Sequence, residues 1–151
     1  YQRRGKMEEN IVNLVQAAFS LPETDPKMYS PLTLAYIGDA IYELVIRTML
    51  VERGNAQVNR LHQRASKLVC ASAQKELFHK IEDKLSEEEL FIYKRGRNAK
   101  SSTMAKNASM SEYRTATGLE ALVGYLYLQN RMERVIELIK KGLLEIQNKE
   151  K

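Results

Sequence analysis

At 151 residues, the chain is long enough to bury a core without disulfides or a structural metal, and short enough to form one domain. Its single cysteine, Cys70, excludes an internal disulfide. No apolar run approaches the roughly 20 residues of a membrane span, and no signal-peptide core opens the sequence. These features predict a cytoplasmic protein with no membrane partner and a buried, inert thiol. The formal charge of +5 is a poor argument for a nucleic-acid partner, because three positive charges sit in Arg3, Arg4 and Lys6, and without them +2 remains. That segment precedes Met7, which reads as a natural start. Residues 1–6 are therefore expected to be an appended remnant or disordered tail, and 7–151 a single domain.

Apolar residues recur at helical spacing almost throughout, with no strand-like alternation. A first amphipathic segment over about 9–19 places Ile11, Leu14, Val15 and Ala18 on one face, and the polar, proline-containing stretch 21–26 breaks it. Ser30 as cap and Pro31 at the first helical position open a second helix, which runs to about Glu52 and ends at Gly54-Asn55. A long third helix follows over about 57–80, with Val58, Leu61, Ala65, Leu68, Val69, Ala73 and Leu77 as its buried stripe. Ser86-Glu87-Glu88-Glu89 is a capping box for a short fourth helix through about Tyr93. Residues 94–107 are polar and basic without apolar period, and are expected to form a loop. Ser109-Met110-Ser111-Glu112 is a second capping box, opening a helix to about Gln129, and a last amphipathic helix spans about 132–147. The fold class is all-α, one helical bundle.

Two of these helices are apolar nearly all round. Residues 32–46 read LTLAYIGDAIYELVI, with only Asp39 and Glu43 charged, and 118–128 read GLEALVGYLYL, with only Glu120 charged. Helices apolar on every face belong in the middle of a bundle, where a carboxylate is costly unless paired, hydrogen-bonded, protonated or metal-bound. Gly38, Gly118 and Gly124 each cost about 1 kcal/mol against alanine inside a helix, a cost commonly offset by close approach of another backbone. Two central helices crossing closely, each presenting an acid, fit the pattern. Taken singly, a buried acid is more often structural than catalytic, and Glu43 has a simple partner in Arg47 four residues on.

Two segments resemble the catalytic signatures of the ribonuclease III family. Tyr36-Ile37-Gly38-Asp39-Ala40 is similar to its aromatic-aliphatic-Gly-Asp-Ala motif, and Thr117-Gly118-Leu119-Glu120-Ala121-Leu122-Val123-Gly124 to its later motif ending in Glu-Ala-Leu-hydrophobic-Gly. The basic run 94–101, KRGRNAKS, resembles that of the Mini-ribonuclease III group. So does the expected absence of an appended double-stranded-RNA-binding domain. The resemblance implies a ribonuclease III-like helical endonuclease domain with Asp39 and Glu120 as catalytic, magnesium-binding carboxylates. Two positions depart from the family pattern: Thr117 stands where the family has an Asp, and Ala35 where it has a Glu. Leu32 also replaces a Glu found in many members. A thinner metal site follows.

The resemblance further implies Mg2+-dependent cleavage of double-stranded RNA to 5′-phosphate and 3′-hydroxyl ends, in maturation of 23S ribosomal RNA precursor. It implies a homodimer with Tyr36 at the dimer junction, although a core tyrosine is the alternative, and leaves room for a ribosomal protein as an additional partner. Lys94, Arg95, Arg97, Asn98, Lys100, Lys106 and Arg114 supply phosphate-seeking groups just ahead of Glu120. Tyr93 and Tyr113 beside them suit core packing and base stacking equally. His62 and His79 lack a nucleophile constellation, and no zinc spacing or phosphate loop is present. The alternative reading is a non-catalytic RNA-binding protein that keeps the fold. A helical scaffold that binds protein through a dimer face is the third.

Overall fold

A computed structural model of the chain describes residues 10–100 and 109–149, so the expected tail at 1–6 lies outside the described residues. Seven α-helices follow in order: α1 Ile11–Ala18, α2 Pro31–Glu52, α3 Val58–Val69, α4 Ala71–Ile81, α5 Glu87–Asn98, α6 Met110–Leu128 and α7 Met132–Lys149. Single 3-10 turns sit at Pro26–Met28 and Glu82–Lys84. The expected N-caps form, although at Ser109 only the half in which its side chain accepts is seen. Ser30 accepts from the Thr33 N–H at 3.2 Å with Pro31 behind it, Ser86 and Glu89 make both halves of a capping box, and Ser109 accepts from the Glu112 N–H at 3.1 Å.

Helix α6 is the axis of the bundle, packed against α2, α4, α5 and α7. Its residues from Thr115 to Leu119 and from Ala121 to Leu126 are all buried. Glycines set its distances to two neighbours. A methyl group on Gly38 of α2 would lie 1.7 Å from the Glu120 carbonyl oxygen, and one on Gly124 of α6 2.0 Å from the Leu34 carbonyl oxygen. The α2 and α6 backbones therefore touch at two reciprocal points. On the other side, a methyl on Gly96 of α5 would meet Gly118 Cα at 2.9 Å, and one on Gly118 the Tyr93 ring at 2.6 Å.

Four expectations are corrected. Helix α2 is not in the middle of the bundle: Leu34, Ile41, Tyr42 and Ile46 face the core, but Leu32, Tyr36, Leu44 and Val51 are exposed. An all-apolar sequence states that both faces avoid water, not that one chain covers both. The long third helix is two helices meeting at an elbow. There the Tyr42 hydroxyl donates to the Leu68 carbonyl oxygen at 3.1 Å and Gln74 Nε2 to that of Val69 at 2.9 Å, satisfying carbonyls that a continuing helix would have used. Cys70 lies at this elbow and is exposed, not buried. Finally, residues 94–98 are helical, because α5 continues through Gly96 by packing on α6.

The N-terminal ends of α5 and α7 are joined by an ion pair that no sequence pattern announced. Glu89, 1 % exposed, receives two hydrogen bonds of 2.8 Å from Arg134, whose Nη2 also donates to the Lys84 carbonyl oxygen. Arg134 and the Ser86 N–H hold the Glu89 carboxyl below its ordinary pKa.

Gly38→Ala is expected to cost roughly 3 kcal/mol or more, since backbone must move to admit the methyl. Gly142→Ala, whose methyl meets the movable Leu77 side chain at 2.5 Å, is expected to cost clearly less. Urea denaturation of the two variants checks the order.

Candidate active site and nucleic-acid interface

The crossing of α2 and α6 brings the two candidate acids together. Asp39 follows Gly38, whose backbone touches the Glu120 carbonyl, which sets the Asp39 carboxyl close enough to act on that of Glu120. Asp39 is exposed and Glu120 half-buried, so the pair sits at the mouth of the crossing, open on one side. Burial, and then the neighbouring Asp39 carboxyl, push the Glu120 pKa up to about 9, the direction expected of an acid desolvated beside another carboxyl.

Nearby groups complete the floor. Tyr42, one turn beyond Asp39, is fully buried, and burial, Cys70 and Glu120 together raise the pKa of its hydroxyl. The elbow between α3 and α4 thus stands close to Glu120. Glu43 forms the expected ion pair with Arg47, at 2.6 Å. Thr117 is buried and donates to the Tyr113 carbonyl oxygen at 2.9 Å, and Ala35 is buried. Both positions that lack an acid are thus occupied by ordinary core residues. Among the described residues no group of three or more His, Cys, Asp or Glu is placed to hold a metal. His62 and His79 are exposed, and His79 lies 3.6 Å from Glu82.

Two basic surfaces lie on helices packed against the crossing pair, α5 on α6 and α3 on α2. Lys94, Arg95, Arg97 and Asn98 lie on the last turns of α5. Gly96 in their midst packs on Thr117 and Gly118, about one helical turn before Glu120 on α6. Lys100 follows that helix and Arg114 is exposed in the second turn of α6; Lys106 lies outside the described residues. Sequence reading missed the second surface. The exposed Arg60, Arg64 and Lys67 lie at i, i+4 and i+7 on α3, a helix without an acid, and lead to the elbow. The spacing was visible, but the helix was read only for its apolar stripe. Tyr36 is 81 % exposed and is no core tyrosine.

Comparison with known proteins decides the family. Residues 32–131 match the ribonuclease III domain. The chain is 50 % identical over 117 residues to the Mini-ribonuclease 3 of Clostridium tetani, spanning 77 % of this chain and 78 % of that one. It is 45 % identical over 140 residues to that of a Thermoanaerobacter species, spanning 93 % and 95 %. The chain belongs to the ribonuclease III family, in its Mini-ribonuclease III group. It is an endoribonuclease. A crystal structure of a Fusobacterium nucleatum protein is similar in fold, with a TM-score of 0.72 and 34 % identity, covering 84 % of this chain and 99 % of that one.

The acid pair gives this Mini-ribonuclease III relative a distinctive pH response. A folded-state pKa near 9 against 4.5 means that the stabilising protonation of Glu120 is fully present below 4.5 and is lost as pH rises toward 9. Without divalent metal, Glu120→Gln should therefore melt at least ~3 °C above the parent at pH 8 and close to it at pH 5. Magnesium should raise the parent's melting temperature at pH 8 and leave the variant's nearly unchanged. Thermal melts in EDTA and in magnesium read both effects.

Proposed function

We propose that the chain cuts double-stranded RNA, using a magnesium ion held by Asp39 and Glu120, and that its biological substrate is 23S ribosomal RNA precursor. The observation that carries the reading is the close α2–α6 crossing, which sets Asp39 near enough to act on Glu120, with basic residues on the adjoining α5 and α3. Magnesium suits such a donor set, since it takes one or two carboxylates and keeps several waters for substrate to replace. Bound there, it supplies Lewis acidity toward the phosphodiester and lowers the pKa of water. Asp39, the more exposed acid, would hold the ion on the solvent side and Glu120 on the core side, where Glu120 would bind it as the ionised carboxylate.

Recognition is of A-form shape through phosphates and 2′-hydroxyls. Lys94, Arg95, Arg97, Asn98, Lys100 and Arg114 form one contact surface, to which Lys106 is assigned by its place in the sequence, and Arg60, Arg64 and Lys67 form a second. One active site cuts one strand, so a duplex calls for two. Leu32, Tyr36 and Leu44 leave α2 with exposed apolar side chains, suited to a second copy of the chain. In the homodimer Tyr36 lies at the junction. Products with 5′-phosphate and 3′-hydroxyl ends are inferred from the family resemblance. No described helix is long and apolar enough to cross a membrane.

Cleavage of a long duplex RNA with magnesium tests the reading. Asp39→Asn and Glu120→Gln are each expected to lower the rate at least ~100-fold while duplex affinity in EDTA stays within about threefold. A parent that binds duplex RNA but never cuts it, even as structured ribosomal precursor, would return the chain to a non-catalytic RNA-binding role.

A further inference from the structure

Tyr93 has no face to offer a base. It is 3 % exposed; its ring stacks on Phe78 with centroids 3.8 Å apart and planes at 13°, and Gly118 closes against its Cδ2–Cε2 edge. It also contacts Arg97, one turn further along α5, whose Cζ lies 5.7 Å from the ring centroid. Arg97 Nε donates to Asn98 Oδ1 at 3.2 Å. Contacts thus run from Phe78 on α4 and Gly118 on α6 through the Tyr93 ring to one guanidinium. Lys94 and Lys100, by contrast, are exposed.

We propose that Tyr93 is a positioning residue for RNA recognition, holding the Arg97 guanidinium as a preset fork for a phosphate of the duplex backbone. The inference rests on the duplex-RNA reading above and deepens it. A guanidinium already fixed against an aromatic ring loses little rotamer freedom on binding, and its planar donors match phosphate oxygens two at a time. A lysine at the same place would bring the charge without the fork.

The test is a double-mutant cycle on the affinity for a fluorescent duplex RNA, measured in EDTA at fixed salt, where no cutting interferes. Arg97→Ala should weaken binding roughly 5- to 10-fold, in line with the loss of one charge-assisted phosphate contact. Tyr93→Leu should approach the same loss although every charge is kept, and the double variant should be no weaker than Arg97→Ala alone. Parent-like affinity of Tyr93→Leu, or a full further loss in the Arg97→Ala background, would overturn the proposal. Should Tyr93→Leu fail to fold, Arg97→Lys at the surface decides: at least ~3-fold weaker binding supports the preset fork, and parent-like binding refutes it. If the parent itself does not bind duplex RNA, the duplex reading falls together with the proposal, an outcome visible before any variant is measured.

Discussion

The backbone contact between α2 and α6 is the constraint on which the rest depends. At Gly38 and Gly124 the two helices approach so closely that a single methyl on either would strike a carbonyl oxygen. Only hydrogen is admitted at these positions, and the crossing they allow brings the backbones that carry Asp39 and Glu120 together. The same approach buries Glu120, and burial with the Asp39 carboxyl beside it pushes its pKa up, an electrostatic cost at the crossing. Under the proposed function a cation bound there would relieve that cost and couple stability to metal binding through one carboxyl group.

The second crossing, between α5 and α6, repeats the device for a different purpose. Gly96 and Gly118 let α5 lie close on α6, which carries a run of basic residues to within about one helical turn of Glu120. A rigid helix end is a better platform for phosphate recognition than a free loop, because less conformational freedom is lost on binding. The bidentate pair of Glu89 and Arg134 fixes the other end of α5 to α7. Removing Arg134 would leave the buried Glu89 charge without its cation, at about 3–5 kcal/mol, whereas Arg134 keeps Glu137 at 3.2 Å. The acid groups and the basic platform are thus both located by contacts to a single buried helix.

Much of this was legible in the sequence. Gly38 and Gly124 inside apolar helices, each near an acid, implied a close crossing with carboxylates beside it, and the crossing is there. Gly118 was read with them but serves α5, since a glycine announces close approach without naming the neighbour. Helix α2 as a whole was expected in the middle of the bundle, yet residues such as Leu44 are exposed, because hydropathy does not distinguish burial within a chain from a face left for a partner. The end of α5 was missed because Gly96 among charged residues looks like a helix breaker, when its packing on Thr117 and Gly118 sustains the helix. The elbow at Cys70 has neither proline nor glycine to mark it. It is made by tertiary hydrogen bonds from Tyr42 and Gln74, which local sequence does not encode. The same holds for Arg134 and Glu89, 45 residues apart.

The central claim is that Asp39 and Glu120 form one cation site across the α2–α6 crossing. Anomalous diffraction at the manganese edge, on crystals of the protein soaked in manganese, tests it most directly, because it locates the ion independently of activity. The account predicts a peak within bonding distance of both carboxyl groups, lost in crystals of Asp39→Asn. Manganese bound elsewhere while this pair stays empty, or bound to one acid with the other turned away, would contradict it.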